Sequence, residues 1–94
     1  MTGVSGAWRI SSVRVDSQEV VDPDFDELFV SGDRIAIEPA GIELSVNQST
    51  SHSAILQSRS DVYFAEFSRR ENQLTLEFSR PAFRQKIRLN AQLN

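Results

Sequence analysis

Apolar and polar residues alternate in short runs along this chain, and turn-formers separate the runs at nearly regular intervals. Ile42, Leu44 and Val46 share one side of a five-residue run, with Glu43 and Ser45 on the other. Leu74, Leu76 and Phe78 repeat that pattern, and Ile35 and Ile37 begin it in "RIAI". A period of two predicts strands with one dry face. In "VYFAEF" (62–67), Tyr63, Ala65 and Phe67 form one face, but Val62 and Phe64 make the other apolar as well. That strand is expected to be central, or covered on its second side. "FRQKIRL" (83–89) aligns Phe83, Ile87 and Leu89 and turns Arg84, Lys86 and Arg88 away, while "LFV" (28–30) and "AIL" (54–56) are shorter candidates.

The links between these runs carry glycine, proline or polar residues: "SGD" (31–33), "PAG" (39–41), "RREN" (69–72) and "RPA" (80–82). Tight links make sequential strands antiparallel neighbours. Residues 15–27 read as an irregular loop or a short helical turn after Pro23, and "NQSTSHS" (47–53) as a second loop. The expectation is an all-β fold: an antiparallel up-and-down meander of about seven or eight short strands, closed into a small barrel or half-barrel.

The first run adds a detail. Trp8 and Ile10 are in phase, Ser12 takes the next inward position, and Val13 and Val15 resume on the opposite parity. One extra residue at Ser11–Ser12 returns both pairs to the same side, the signature of a β-bulge. Bulges bend strands, and small barrels need bent strands to close. Gly6 permits a tight approach of the chain beneath the indole, and Trp8 is expected to plug one end. Gly6–Ala7–Trp8 on the first strand of an all-β meander resembles the Gly-X-Trp signature of lipocalins. "GAWRISS" followed by "LFVSGDRIAI" is similar to short lipocalin-like domains of uncharacterised bacterial proteins, over roughly residues 6–45. The resemblance implies a bulged barrel, and a basic residue from the last strand stacked on the tryptophan, with Arg84, Lys86 and Arg88 as the alternatives. It carries over no ligand. This chain lacks the surplus length, the C-terminal helix and the disulfide of full-size lipocalins.

With 94 residues and 10.6 kDa, residues 1–94 are expected to form a single domain. Size scaling gives a folded surface of roughly 5,500 Å², with roughly 65% of the unfolded surface buried. There is no cysteine, which removes disulfides and thiolate chemistry and fits a cytoplasmic setting. No basic stretch leads into an apolar run, and no run approaches membrane-spanning length. The net charge of −3 is unevenly spread: residues 1–58 hold three basic and nine acidic residues, residues 59–94 seven and four. An acidic total argues against nucleic acid as a partner.

Candidate chemistry is sparse. "DPDFDELFVSGD" (22–33) places Asp22, Asp24, Asp26 and Asp33 at calcium-loop spacing, but Glu27 occupies the glycine position and apolar residues occupy ligand positions. A solvated acidic loop feeding a strand is the expectation, with no metal and no cofactor. His52, the only imidazole, lies between Ser51 and Ser53, whose side chains point away from it on an extended chain. No nucleophile elbow occurs, so no catalytic residues are assigned. Arg84, Lys86 and Arg88 form a basic stripe that reads as protection of an edge strand, or as partners for Glu66 and Glu77, before it reads as an anion footing. "NQS" (47–49) matches a glycosylation acceptor that matters only in a secreted eukaryotic protein. The inward residues are mostly needed to fill a small barrel, leaving a shallow mouth rather than a deep calyx. The chain therefore reads as a non-enzymatic binding or accessory module. Its site candidates are the barrel-end residues Trp8, Arg84, Lys86 and Arg88; the residues identify no ligand, and the partner is a small apolar ligand or a protein. The alternative is a protein–protein interaction module using an exposed strand edge or the charge-polarised surface.

Overall fold

The structure, a computed structural model, describes residues 3–21, 23–59, 61–80 and 84–94. Asp22 and Phe83, which the sequence placed in the acidic stretch and at the head of the last strand, lie outside them. Nine strands follow one another: β1 (Gly6–Val15), β2 (Gln18–Val20), β3 (Phe25–Ser31), β4 (Arg34–Pro39), β5 (Ile42–Ser49), β6 (Ser53–Ser58), β7 (Asp61–Arg70), β8 (Gln73–Arg80) and β9 (Gln85–Leu93). All pairings are antiparallel, in the order β2-β1-β3-β4-β5-β6-β7-β8-β9, and β1 also pairs with β9. Eight strands thus close into a barrel, with β2 as an extra strand on β1.

β1 forks the sheet. Gly6–Arg9 pair with β3, Val13–Val15 pair with β2, and β9 runs along the other side from Trp8 to Val15. The bulge falls where the phase slip placed it, between Ile10 and Ser12, so that Trp8, Ile10, Val13 and Val15 all face inward. Two serines suit the site because their hydroxyls replace ladder bonds lost at the bulge. Ser11 Oγ donates to the Asn90 carbonyl (3.0 Å), and Asn90 Nδ2 donates to Ser12 Oγ (2.9 Å). Thr75 Oγ1 in turn donates to Asn90 Oδ1 (3.2 Å), which ties β8 to the same point. Two further bulges, at Asp26 in β3 and Asn47 in β5, bend the wall elsewhere.

The inward face is apolar throughout among the described residues, with no buried polar side chain except the indole N–H of Trp8. Leu28, Ile35, Leu56, Leu74, Leu76 and Leu89 are fully enclosed, each contributing about 1.5–3 kcal/mol of transfer free energy. Val4, Ala54 and Ala91 complete the core. Their short runs gave no periodic signal.

Several expectations change. The 15–27 stretch is mostly strand and not one loop, with a turn at Pro23–Asp24. Asp16 and Ser17, both at positive φ (51° and 70°), turn β1 tightly into β2, and β3 starts at Phe25. Asn47–Ser49 continue β5, so the predicted loop shrinks to residues 50–52, held by Thr50 Oγ1 accepting from the His52 and Ser53 amides. β7 is central, between β6 and β8, as one of its two alternatives had it; its second side is not covered, with Val62 and Phe64 44% and 48% exposed on the outer wall. β9 is no edge strand, since β1 and β8 pair with it on both sides. The surface of 6,185 Å² exceeds the roughly 5,500 Å² expected for a sphere-like domain of this size, as an open-ended barrel should.

Asn90→Ala removes two side-chain hydrogen bonds at the bulge. It is expected to lower unfolding free energy by about 1–2 kcal/mol in urea titration, with the barrel retained.

Candidate functional site: a closed end and an open end

The strands alternate in direction, so the links fall at two ends. One holds the chain start and the turns at 32–33, 50–52 and 71–72. The other holds the turns at 16–17 and 40–41 and the ends of β6 and β8.

The first end is shut. Trp8 is wholly buried there, and its Nε1–H donates to the Val4 carbonyl (2.9 Å). Residues 3–5 thereby lie across the end with Val4 buried. The cation over the indole is Arg69, its guanidinium carbon 5.1 Å from the ring centroid. Arg69 also donates to the Gly3 carbonyl from Nη1 and to the Glu71 carbonyl from Nε, both at 2.8 Å. One side chain clamps the chain start, the β7–β8 turn and the tryptophan. Gly6 sits at φ +138°, where a side chain would be strained and would meet Leu93 Cδ1 at 3.6 Å.

The basic residue over Trp8 thus comes from β7, not from the last strand. Arg84, Lys86 and Arg88 are corrected on this point. Trp8 faces Leu93, which puts Arg88 and Lys86 about five and seven residues down the wall, roughly 17 and 23 Å from the indole at strand rise. Arg84 is exposed in a turn at φ +50°. The Lys86 amide donates to Asp16 Oδ1 (3.0 Å) and its carbonyl accepts from the Asp16 amide (2.9 Å), tying the β1–β2 turn to β9. Arg88 binds Glu77 Oε2 through Nε (3.2 Å) and Nη2 (3.0 Å), the pairing expected from its neighbours. Across the strands the register places Glu66, Glu77, Arg88, Arg14 and Glu19 in one outer row. In this row the bases Arg88 and Arg14 lie between the acids Glu77 and Glu19, so the stripe is flanked by opposite charge here.

Within the acidic stretch Phe25–Ser31 are extended as β3, so Asp24 and Asp33 flank a strand about 20 Å long and do not converge. Among the described residues no group of three metal-ligating side chains is assembled. His52 lies exposed in the turn at the closed end.

The second end is open. It holds a bowl of about 650 Å³. Ile37, Leu44 and Phe78, all buried, form its floor, and the half-buried Phe25, Ile42, Tyr63 and Ile87 form its walls. β5 pairs with β4 over its first half and with β6 over its second. Beside Ile42–Leu44 the wall consequently has no β6 neighbour, and the bowl reaches into this gap. Its rim carries Arg34, Glu43, Gln57, Arg59 and Asp61. Asp61 is neutralised by Arg80 (2.7 Å), whose guanidinium also lies 5.6 Å from the Tyr63 ring centroid. Ile37, Ile42, Leu44, Tyr63, Phe78 and Ile87 read along the chain as inward positions that fill the barrel; the mismatch of strand pairing at β5, which leaves them partly uncovered, belongs to the fold.

Arg69→Ala is expected to release the chain start, cost about 1–2 kcal/mol in chemical denaturation, and raise acrylamide quenching of Trp8 well above the wild-type level. Comparison with protein-family models, with curated proteins and with solved structures finds no significant match to this chain.

Proposed function

We propose that the protein is a non-enzymatic binding module that takes a compact apolar ligand into the open-end bowl. One observation carries this reading: a bowl of about 650 Å³ with a buried apolar floor, in a barrel whose other end is shut by Trp8, Val4 and Arg69. That volume lies within the roughly 300–1,000 Å³ of small-molecule sites. The mixture of apolar floor and few polar rim groups is the composition such sites use for affinity and orientation. A binding role rather than a catalytic one is supported by placement, since His52 lies at the end opposite the bowl. In build we read the chain as lipocalin-like, with Gly6–Ala7–Trp8 at the closed end and the stacked arginine moved to β7.

A second reading, docking of a protein, draws on a different place. Ile55 and Phe64 face each other across β6 and β7 on the outer wall, with the exposed Val62 beside them. β2 also presents an outer edge with no partner among the described strands.

The indole sits at the far end, so its fluorescence is a reporter of folding, not of ligand. Amide NMR during titration with 1-octanol separates the two readings. Shifts should concentrate at Ile37, Leu44, Tyr63, Phe78 and Ile87, and Ile42→Trp, which fills the mouth, should abolish them while Trp8 remains shielded. Shifts centred on Val62 and Phe64, or binding untouched by Ile42→Trp, would overturn the bowl reading.

A further inference from the structure

We infer that the bowl selects ligands with an anionic head group, read by Arg59 and Arg34 at the rim. This rests on the bowl reading above and goes beyond it by fixing the charge of the occupant.

The rim carries three kinds of charge, and their partners differ. Asp61 is the acid nearest the aromatic wall, and Arg80 satisfies it at 2.7 Å. The same guanidinium lies over Tyr63, so the ring face that would attract a ligand cation is already occupied by a protein cation. An incoming ammonium would therefore meet Arg80 where it sought either a carboxylate or a π-face. Glu43 remains as a rim acid, on the exposed face of β5.

Arg59 and Arg34 are placed differently. Arg59 sits at positive φ (57°) in the turn after β6, and Gln57 Nε2 donates to its carbonyl (2.9 Å), which fixes the turn at the rim. Arg34 starts β4 opposite Ser45 of β5, which itself faces Gln57 of β6, and in this row it lines the bowl. Among the described residues neither guanidinium has an ion-pair or hydrogen-bond partner, whereas Arg69, Arg80 and Arg88 are all engaged. Two unpaired guanidiniums against one unpaired carboxylate give the mouth a net positive charge on a protein that is acidic overall. Guanidiniums present planar donor forks suited to carboxylate and phosphate oxygens. The apolar floor takes the body of such a ligand and the rim takes its head.

The test uses three probes with the same tail: octanoate, 1-octanol and octylammonium, titrated into the full chain and followed by amide NMR. Octanoate is expected to bind roughly two- to fivefold tighter than 1-octanol, the modest gain of a solvent-exposed charge contact. Octylammonium should bind more weakly than 1-octanol. The advantage of octanoate should vanish in the double variant Arg34→Gln, Arg59→Gln, with 1-octanol affinity unchanged and Trp8 still shielded. Both substitutions lie on exposed residues, so the fold is kept. Equal affinities for octanoate and 1-octanol, a preference for octylammonium, or an octanoate preference that survives the double variant overturn this inference and leave the bowl reading standing. No binding by any of the three overturns both.

Discussion

Closure of the sheet between its first and last long strands is the constraint on which the rest depends. With no cysteine, and no helix among the described residues, the eight antiparallel strands bury their dry face and remove both sheet edges by closing on themselves. β1 must meet β9 along its length while serving β3 at one half and β2 at the other. A regular strand cannot do this with one inward face. The extra residue at Ser11–Ser12 lets β1 bend without turning Val13 and Val15 into solvent, and Asn90 and Thr75 hold the bend by side-chain hydrogen bonds. Inward parity on both sides of the bulge then recruits a core that is apolar throughout among the described residues.

Closure also makes two unlike ends. At one, an indole, a buried valine and an arginine clamp shut the barrel using the start of the chain. At the other, the strands run out unevenly, and the half-paired β5 leaves apolar residues facing a bowl. Packing shuts the first end, while the second leaves an apolar bowl with charged residues at its rim. The separation is physically useful, because rim residues at the open end carry little of the packing and are free to be chosen for what they contact.

Much of this was legible along the chain, and the reason is local. Strict alternation at 42–46 and 74–78 marks strands with one dry face, and the parity slip between Ile10 and Val13 located the bulge to the residue. What failed was long-range. β2 is three exposed residues whose only support is pairing with β1, so "QEV" carries no periodic signal. The apolar outer face of β7 suggested a cover because large apolar side chains usually have one, and Val62 and Phe64 do not. The stripe at Arg84, Lys86 and Arg88 looked like edge protection because β9 ends the chain, yet barrel closure removes that edge. Arg69 carried no motif, since its role depends on a turn, a chain terminus and an indole brought together only by the fold. The bowl escaped for the same reason: its floor residues are ordinary core positions, and only the uneven pairing of β5 exposes them.

The most direct measurement of the closure account is a comparison of two changes at one position. Deleting Ser11 removes the extra residue and throws Val13 and Val15, or Trp8 and Ile10, onto the outer face, whereas Ser11→Ala keeps the count and loses one hydroxyl. Urea unfolding followed by near-ultraviolet circular dichroism should show a cooperative transition close to wild type for Ser11→Ala and none for the deletion. A deletion variant that unfolds cooperatively within about 1 kcal/mol of wild type would contradict the account, since a register slip of one residue moves several core side chains into water.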